Sequence, residues 1–274
     1  LVGSEMCIRD RGERMENLGF VKNPAHSVNH HEVYVTEKHV EVELHTLLAE
    51  PFDDKETNRL MEELQKEVAV QAGKKKLMGI EFPVLPDGIH AYYLLLHMLQ
   101  HFLRAGFGLK LLCDWVVFWR HGVTEKELAQ YKKLTARSGL TGFSDMVTSV
   151  CVQYLGLEEE AAEPLIVNMV SGEDMWGFME EILQSLEFGT MESEQMVALR
   201  GNGWRDLFRE FHHQMHLNFP ETGRYPVLWP ALWIRTGWRF ARNNRVVRRT
   251  TIKKVIQNAK KRGKISNKLH LFER

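Results

Sequence analysis

Apolar and polar residues alternate with period two through EVYVTEKHVEVELHTLL, and the polar TEK cluster between its two β-prone runs predicts a hairpin. On the second run Val40, Val42 and Leu44 share one face while Glu41, Glu43 and His45 share the other. One face is thus suited to a core, and the other carries three polar groups in a row. Beyond Pro51 strand signals nearly vanish and the spacing turns helical. Helices are predicted over 57–71, 90–105, 109–121, 124–138, 142–155, 158–170, 174–186 and 191–214, followed by a long basic helix. In 90–105 the apolar positions Tyr93, Leu94, Leu96, Met98, Leu99 and Phe102 occupy most of the circumference, which places that helix inside a core. The Gly106–Gly108 break then makes it half of an antiparallel pair. The pattern as a whole predicts an α+β fold, a small β-hairpin or sheet followed by a mostly α-helical domain.

Composition changes this picture little. The 274 residues are 44% hydrophobic and 26% charged, ordinary for a globular chain. Cys7, Cys113 and Cys151 are too few and too scattered for a disulfide framework, so the expected compartment is the cytoplasm. The most apolar run, Ala91 to Trp119, contains His97, His101, Arg104, Lys110 and Asp114. Ionised groups of that kind each cost about 2.5–3.5 kcal/mol near a bilayer centre, so no transmembrane segment is expected. Charge is balanced overall, 36 basic against 36 acidic residues, yet residues 231–274 hold 14 Lys/Arg against one acid. This end reads as a basic helix and tail that is solvated from Asn243 onward, able to meet a polyanion such as nucleic acid and dispensable for folding beyond Lys253.

Three groups of residues carry candidate chemistry. His97 and His101, four apart on one predicted helix, face Lys110 and Asp114, four apart on the next, across the glycine turn. That cluster is expected to converge, as a substrate-binding site, a buried hydrogen-bond network or a metal site. No Glu follows His97, so the zinc-protease pattern is absent. HHQMH (His212 to His216) ends a helix, where histidines favour the dipole, and reads as structural. Tyr225, Trp229, Trp233 and Trp238 read as packing.

The order MENLGF, HHEVYV, VEVELH, LLLHMLQHFLRAGFGLKLLCDW and NFPETGRYPVLWPALWIRTGWR resembles the uncharacterised nucleotidyltransferase family over roughly residues 12–245. The resemblance implies a DNA-polymerase-beta-like nucleotidyltransferase fold with a large helical C-terminal part. It also implies transfer of a nucleotidyl group from a nucleoside triphosphate to an unknown acceptor, with Mg²⁺ as cofactor. In those terms Glu43 completes the metal-binding carboxylate set and has a catalytic role, with His45 beside it as a substrate-binding residue. His97, His101, Lys110 and Asp114 fall in a cluster that the family usually writes His-x-x-Lys-His and Gly-x-Arg-x-x-x-Asp. Here Gln100 and Lys110 replace the Lys and the Arg, and Lys lacks the bidentate fork of Arg.

The family's Gly-Ser and Asp-x-Asp pair, expected just upstream of MENLGF, is not found there. SEMCIRDR resembles translated adapter sequence, and the first residue is Leu. The expected organisation is therefore a non-native front at 1–11 with few contacts, a nucleotidyltransferase remnant at 12–50, a helical domain at 51–230 and a basic end at 231–274. A chain lacking the Asp-x-Asp pair is expected to be an inactive fragment of an active parent. The alternative from another class is a non-catalytic helical binding module whose basic tail meets an acidic partner.

Overall fold

The computed structural model describes residues 12–24, 31–38, 40–45, 47–71, 73–77, 79–104, 106–184, 204–246 and 268–273. The expected artefact at 1–11 lies outside them, as does half of the basic end. The chain divides into two compact units, one formed by residues 1–97 and 122–138, the other by 98–121 and 139–273.

In the first unit, β1 (Val21–Lys22), β2 (His31–Val35) and β3 (Glu41–His45) form an antiparallel sheet in the order β1-β2-β3. The predicted hairpin is present. Thr36 closes it twice, its N–H donating to the Val40 carbonyl at 3.0 Å and its Oγ1 accepting from the Val40 N–H at 3.1 Å. Helix α1 (Lys55–Gln71) starts where the Asp54 carboxylate accepts from the Thr57 N–H at 2.8 Å, an N-cap of the expected chemistry. Asn58 ties the preceding loop to the helix by accepting from the Phe52 N–H and donating to its carbonyl, both at 2.8 Å. Leu60, Leu64 and Val68 recur on one buried side of α1, which packs on α4 (Glu125–Ser138). Helix α4 opens with a capping box, Thr124 and Glu127 each satisfying the other's backbone N–H.

One element departs from the helical reading of everything after Pro51. Between α1 and α2 (Asp87–Arg104) a second hairpin forms from β4 (Gly73–Leu77) and β5 (Ile80–Val84). The run Lys74–Lys76 has no alternation and Pro83 argues against a strand, so the periodic signal is missing. Gly79, at φ +85°, supplies the left-handed residue that closes the turn.

The second unit is helical. It takes residues 98–104 of α2, then α3 (Leu109–Arg120), α5 (Thr141–Leu155), the single turn α6 (Glu159–Ala162), α7 (Gly172–Gln184), α8 (Trp204–Asn218) and α9 (Trp229–Val246). Phe102, Phe143 and Phe178 meet in its core at ring separations of 5.4–6.1 Å. Buried Trp115 donates its indole N–H to Thr148 Oγ1 at 3.3 Å. The predicted helix at 158–170 shrinks to one turn. Pro164 has no N–H to continue it, and the buried Asp145 carboxylate accepts instead from the Val167 and Asn168 N–H groups at 2.9 and 3.0 Å.

The reading of the C-terminal end as wholly solvated fails at its last described residues. Leu269, Leu271 and Phe272 are buried, and the Phe272 N–H donates to the Gly139 carbonyl at 2.8 Å. Gly139, at φ +64°, faces the Phe272 backbone so closely that an added Cβ would lie 2.6 Å from its carbonyl carbon. Three apolar side chains amid the basic run outweigh its charge there. Among the described residues no helix is long and apolar enough to cross a membrane.

Candidate functional site

Hairpin register decides which side chains of the first unit meet. Pairing about the Thr36–Val40 turn sets His31 directly opposite His45 and Val33 opposite Glu43. Because side chains alternate along each strand, His31, Glu43 and His45 all project from one face. The two imidazole centroids are 5.4 Å apart. His45 Nε2 lies 3.4 Å from Glu43 Oε2. Taking one donor atom from each residue, all three ligand atoms fall within 4.8 Å of one another.

Helix α2 supplies the wall in front of this face. Tyr93 and His97, one turn apart, stack at 5.9 Å and 24°, and both stand edge-on to His45, at 6.0 and 5.6 Å. The polar face of β3, which the sequence pattern leaves open to water, is therefore half covered. The His45 side chain is 16% exposed and that of Glu43 45%. Carboxylate access survives where imidazole access is reduced.

The surroundings hold Glu43 as an anion. Its hydrogen bond with His45 lowers its pKa to about 2, against the upward push of burial, with His31, His45 and His97 adding favourable charge. Tyr93 is raised to about 12, first by burial and then by the Glu43 charge, so its phenol stays a hydrogen-bond donor through neutral pH.

Of the residues singled out in the sequence, Glu43, His45 and His97 come together in the first unit. His101, Lys110 and Asp114 are exposed and belong to the second. The sequence pattern does not single out His31 and Tyr93 as site residues. The signal for His31 was in the hairpin itself, since a turn centred on TEK fixes which residue opposes His45. Tyr93 reads as core from its place on an all-round apolar helix, and only the packing of α2 gives it a polar neighbour.

In the second unit His212 and His216 are structural, as their helix-end position suggests. The Trp233 indole N–H donates to His212 Nδ1 at 3.1 Å, and His212 Nε2 lies 3.3 Å from His216 Nε2. Trp229 packs on His212 at 4.7 Å and donates to the Gly223 carbonyl at 2.7 Å. Trp238 is 63% exposed, with the Arg242 guanidinium 5.1 Å above its ring, so packing within the chain accounts for Trp229 and Trp233 but not for it.

A family model described as "Uncharacterised nucleotidyltransferase" matches residues 1–156, a span that contains every residue of the site and stops short of residue 245, to which the sequence resemblance extends. No curated protein and no solved structure matches the chain.

Proposed function

Because the chain belongs to the uncharacterised nucleotidyltransferase family, we propose that the His45 face of β3 is its reactive surface, with Glu43 the residue on which transfer of a nucleotidyl group depends. The observation that carries this reading is a single one. Glu43 is an ionised, half-exposed carboxylate on a paired strand within the family-matched span, oriented by His45 at 3.4 Å.

Magnesium is the cation the family resemblance implies, and it takes oxygen ligands in near-octahedral order. The donor set that converges among the described residues is two imidazoles and one carboxylate. It does not fit magnesium. What the chain's own residues can do is narrower. Glu43 accepts a hydrogen bond from an acceptor hydroxyl and orients it, while Tyr93 and His97 keep bulk water from one side of the site. His45 contacts substrate beside it. His101, Lys110 and Asp114 remain substrate-binding residues in this proposal, supported by their exposure on α2 and α3. The nucleoside triphosphate is the donor and the acceptor is unassigned. Cys113 and Cys151, both free thiols, support a cytoplasmic setting.

Within the 274 residues no Asp-x-Asp pair occurs. One strand carboxylate cannot neutralise a triphosphate in the transition state, so the chain by itself is expected to transfer nothing. The test incubates the chain, and an open reading frame that continues it upstream with the Asp-x-Asp pair, with labelled nucleoside triphosphates, magnesium or manganese, and cell extract as acceptor source. Label should move only with the longer protein. Glu43→Ala in it should lower the rate by roughly 100-fold or more, the scale of losing one positioned transition-state group. A longer protein indifferent to Glu43→Ala removes that residue from the mechanism.

The non-catalytic alternative keeps one observation in its favour. Ile234 and Trp238 are exposed one turn apart on α9, beside Arg235, Arg239 and Arg242, an apolar and basic surface suited to an acidic partner.

A further inference from the structure

The mismatch with magnesium has a positive side. Two histidines and one glutamate are a donor set that zinc takes readily, with its fourth position left for water or substrate. Imidazole nitrogen suits borderline ions such as zinc, copper, nickel and iron, whereas magnesium dehydrates reluctantly and prefers oxygen. The set is also placed on a hydrogen-bonded ladder. His31 and His45 sit at directly opposed positions of a hydrogen-bonded ladder, and Glu43 lies two residues from His45 on the same strand. Backbone register thus brings the three donors together before any side chain rotates.

Distances allow the step from cluster to site. Ligand atoms around a tetrahedral zinc ion, at about 2.0–2.1 Å from the metal, are about 3.3 Å from one another. Here the three donor atoms lie within 4.8 Å of one another, and His45 Nε2 and Glu43 Oε2 are already at 3.4 Å. The remaining gap is of the size that side-chain rotation on a fixed ladder spans. Tyr93 and His97 then line the side of the site on α2, which lowers the local dielectric and strengthens the pairing of cation with carboxylate.

We infer that His31, Glu43 and His45 form a binding site for one divalent borderline cation of the zinc type. The inference deepens the proposed function by naming the cation class of the same surface, and rests on that reading only for the claim that the cation serves transfer. Binding itself stands on the geometry. No redox change is involved: the ion exchanges water for two neutral imidazole nitrogens and one carboxylate oxygen, and the proton that His45 Nε2 shares with Glu43 leaves to solvent as the metal enters.

The experiment is equilibrium dialysis of the untagged full chain against zinc, read by elemental analysis, with and without a large excess of magnesium. About one tightly held zinc per chain is expected, retained against magnesium, with affinity falling at least about 100-fold in His31→Ala and in Glu43→Ala, as for loss of a direct ligand. His212→Ala, which alters the other histidine pair, should leave the affinity within about threefold. A readout that needs no variant guards against misfolding. Zinc should protect His31 and His45 from carbethoxylation by diethylpyrocarbonate, scored by peptide mass spectrometry, and should leave exposed His101 reactive. Absence of bound zinc, displacement by equimolar magnesium, or labelling of His31 and His45 unchanged by zinc overturns the inference. Zinc binding without nucleotidyl transfer by the longer protein would leave the inference intact and sink the functional reading. Transfer with magnesium and no zinc bound would do the reverse.

Discussion

The molecule places histidines in two clusters that look alike in the sequence and differ in what surrounds them. In the first unit, two imidazoles share a strand face with a carboxylate, so the set is built from groups that a cation can join. In the second, the partner is the Trp233 indole, which has only a donor to offer. Because Trp233 Nε1–H occupies His212 Nδ1, the neutral His212 ring carries its proton on Nε2 and donates it to His216 Nε2 at 3.3 Å. Donor and acceptor alternate from Trp233 through His212 to His216, so both ring nitrogens of His212 are already engaged. The comparison teaches that spacing along a helix or strand does not make a histidine functional; the chemistry of the group across from it does.

The largest expected effect tests whether the second cluster depends on its unit being closed. Truncation after Ile252 removes buried Leu269, Leu271 and Phe272, each worth about 1.5–3 kcal/mol of burial. Denaturant unfolding followed by tryptophan fluorescence should show a loss of about 4 kcal/mol or more. An unchanged midpoint would return these residues to the status of a dispensable tail.

Next in size is the ligand effect on the first cluster. Zinc at 100 times its dissociation constant should raise stability by about 2.7 kcal/mol in the parent chain and by almost nothing in Glu43→Ala. Calorimetric melting with and without zinc reads it directly. A variant that melts like the parent in zinc would show that the ion binds elsewhere.

His212→Ala should cost about 1–3 kcal/mol without any metal, because it leaves the half-buried Trp233 N–H without its acceptor. His45→Ala measured in the absence of zinc should cost less, its neighbours being water-accessible on one side. Equal costs would erase the distinction between the clusters.

The smallest expected effect is on pH. Burial first, and then the charge of His216, lower the His212 pKa below its ordinary 6.5. The unfolded chain therefore takes up the proton earlier, so the His212 contribution is complete above pH 6.5 and lost as pH falls from there through the lowered value. The Glu43 contribution behaves as a depressed carboxylate's does, present above about 4.5 and lost as pH falls towards about 2. As pH falls below 6.5 the Trp233 indole N–H signal should broaden or shift in a proton NMR titration. A signal constant through that window would mean that His212 does not accept from Trp233.

Much of the architecture was legible in the residues. The TEK turn fixed the hairpin, GFG separated α2 from α3, and the all-round apolar surface of 90–105 placed α2 in a core, because each is a local choice that backbone geometry enforces. The β4–β5 hairpin was not legible, since a run of lysines and a proline carry no period and only pairing with each other makes them strands. Pro164 stood in plain view, yet the shortening of 158–170 depended on Asp145, which lies far away in the chain and captures the loop after the break. For the site, Glu43 and His45 followed from alternation on one strand. His31 needed the register, and the wall formed by Tyr93 and His97 needed α2 to lie across β3.

The sequence by itself determined most of the element types, the family and the acidic residue on β3, all of which depend on short-range pattern and order. Tertiary structure alone decided which histidines face an anion and which face an indole, and that a few apolar residues at a basic end belong to a core. The physical reason is that hydrogen-bond partnership and burial are set by neighbours distant in the chain, whose identity no local spacing encodes.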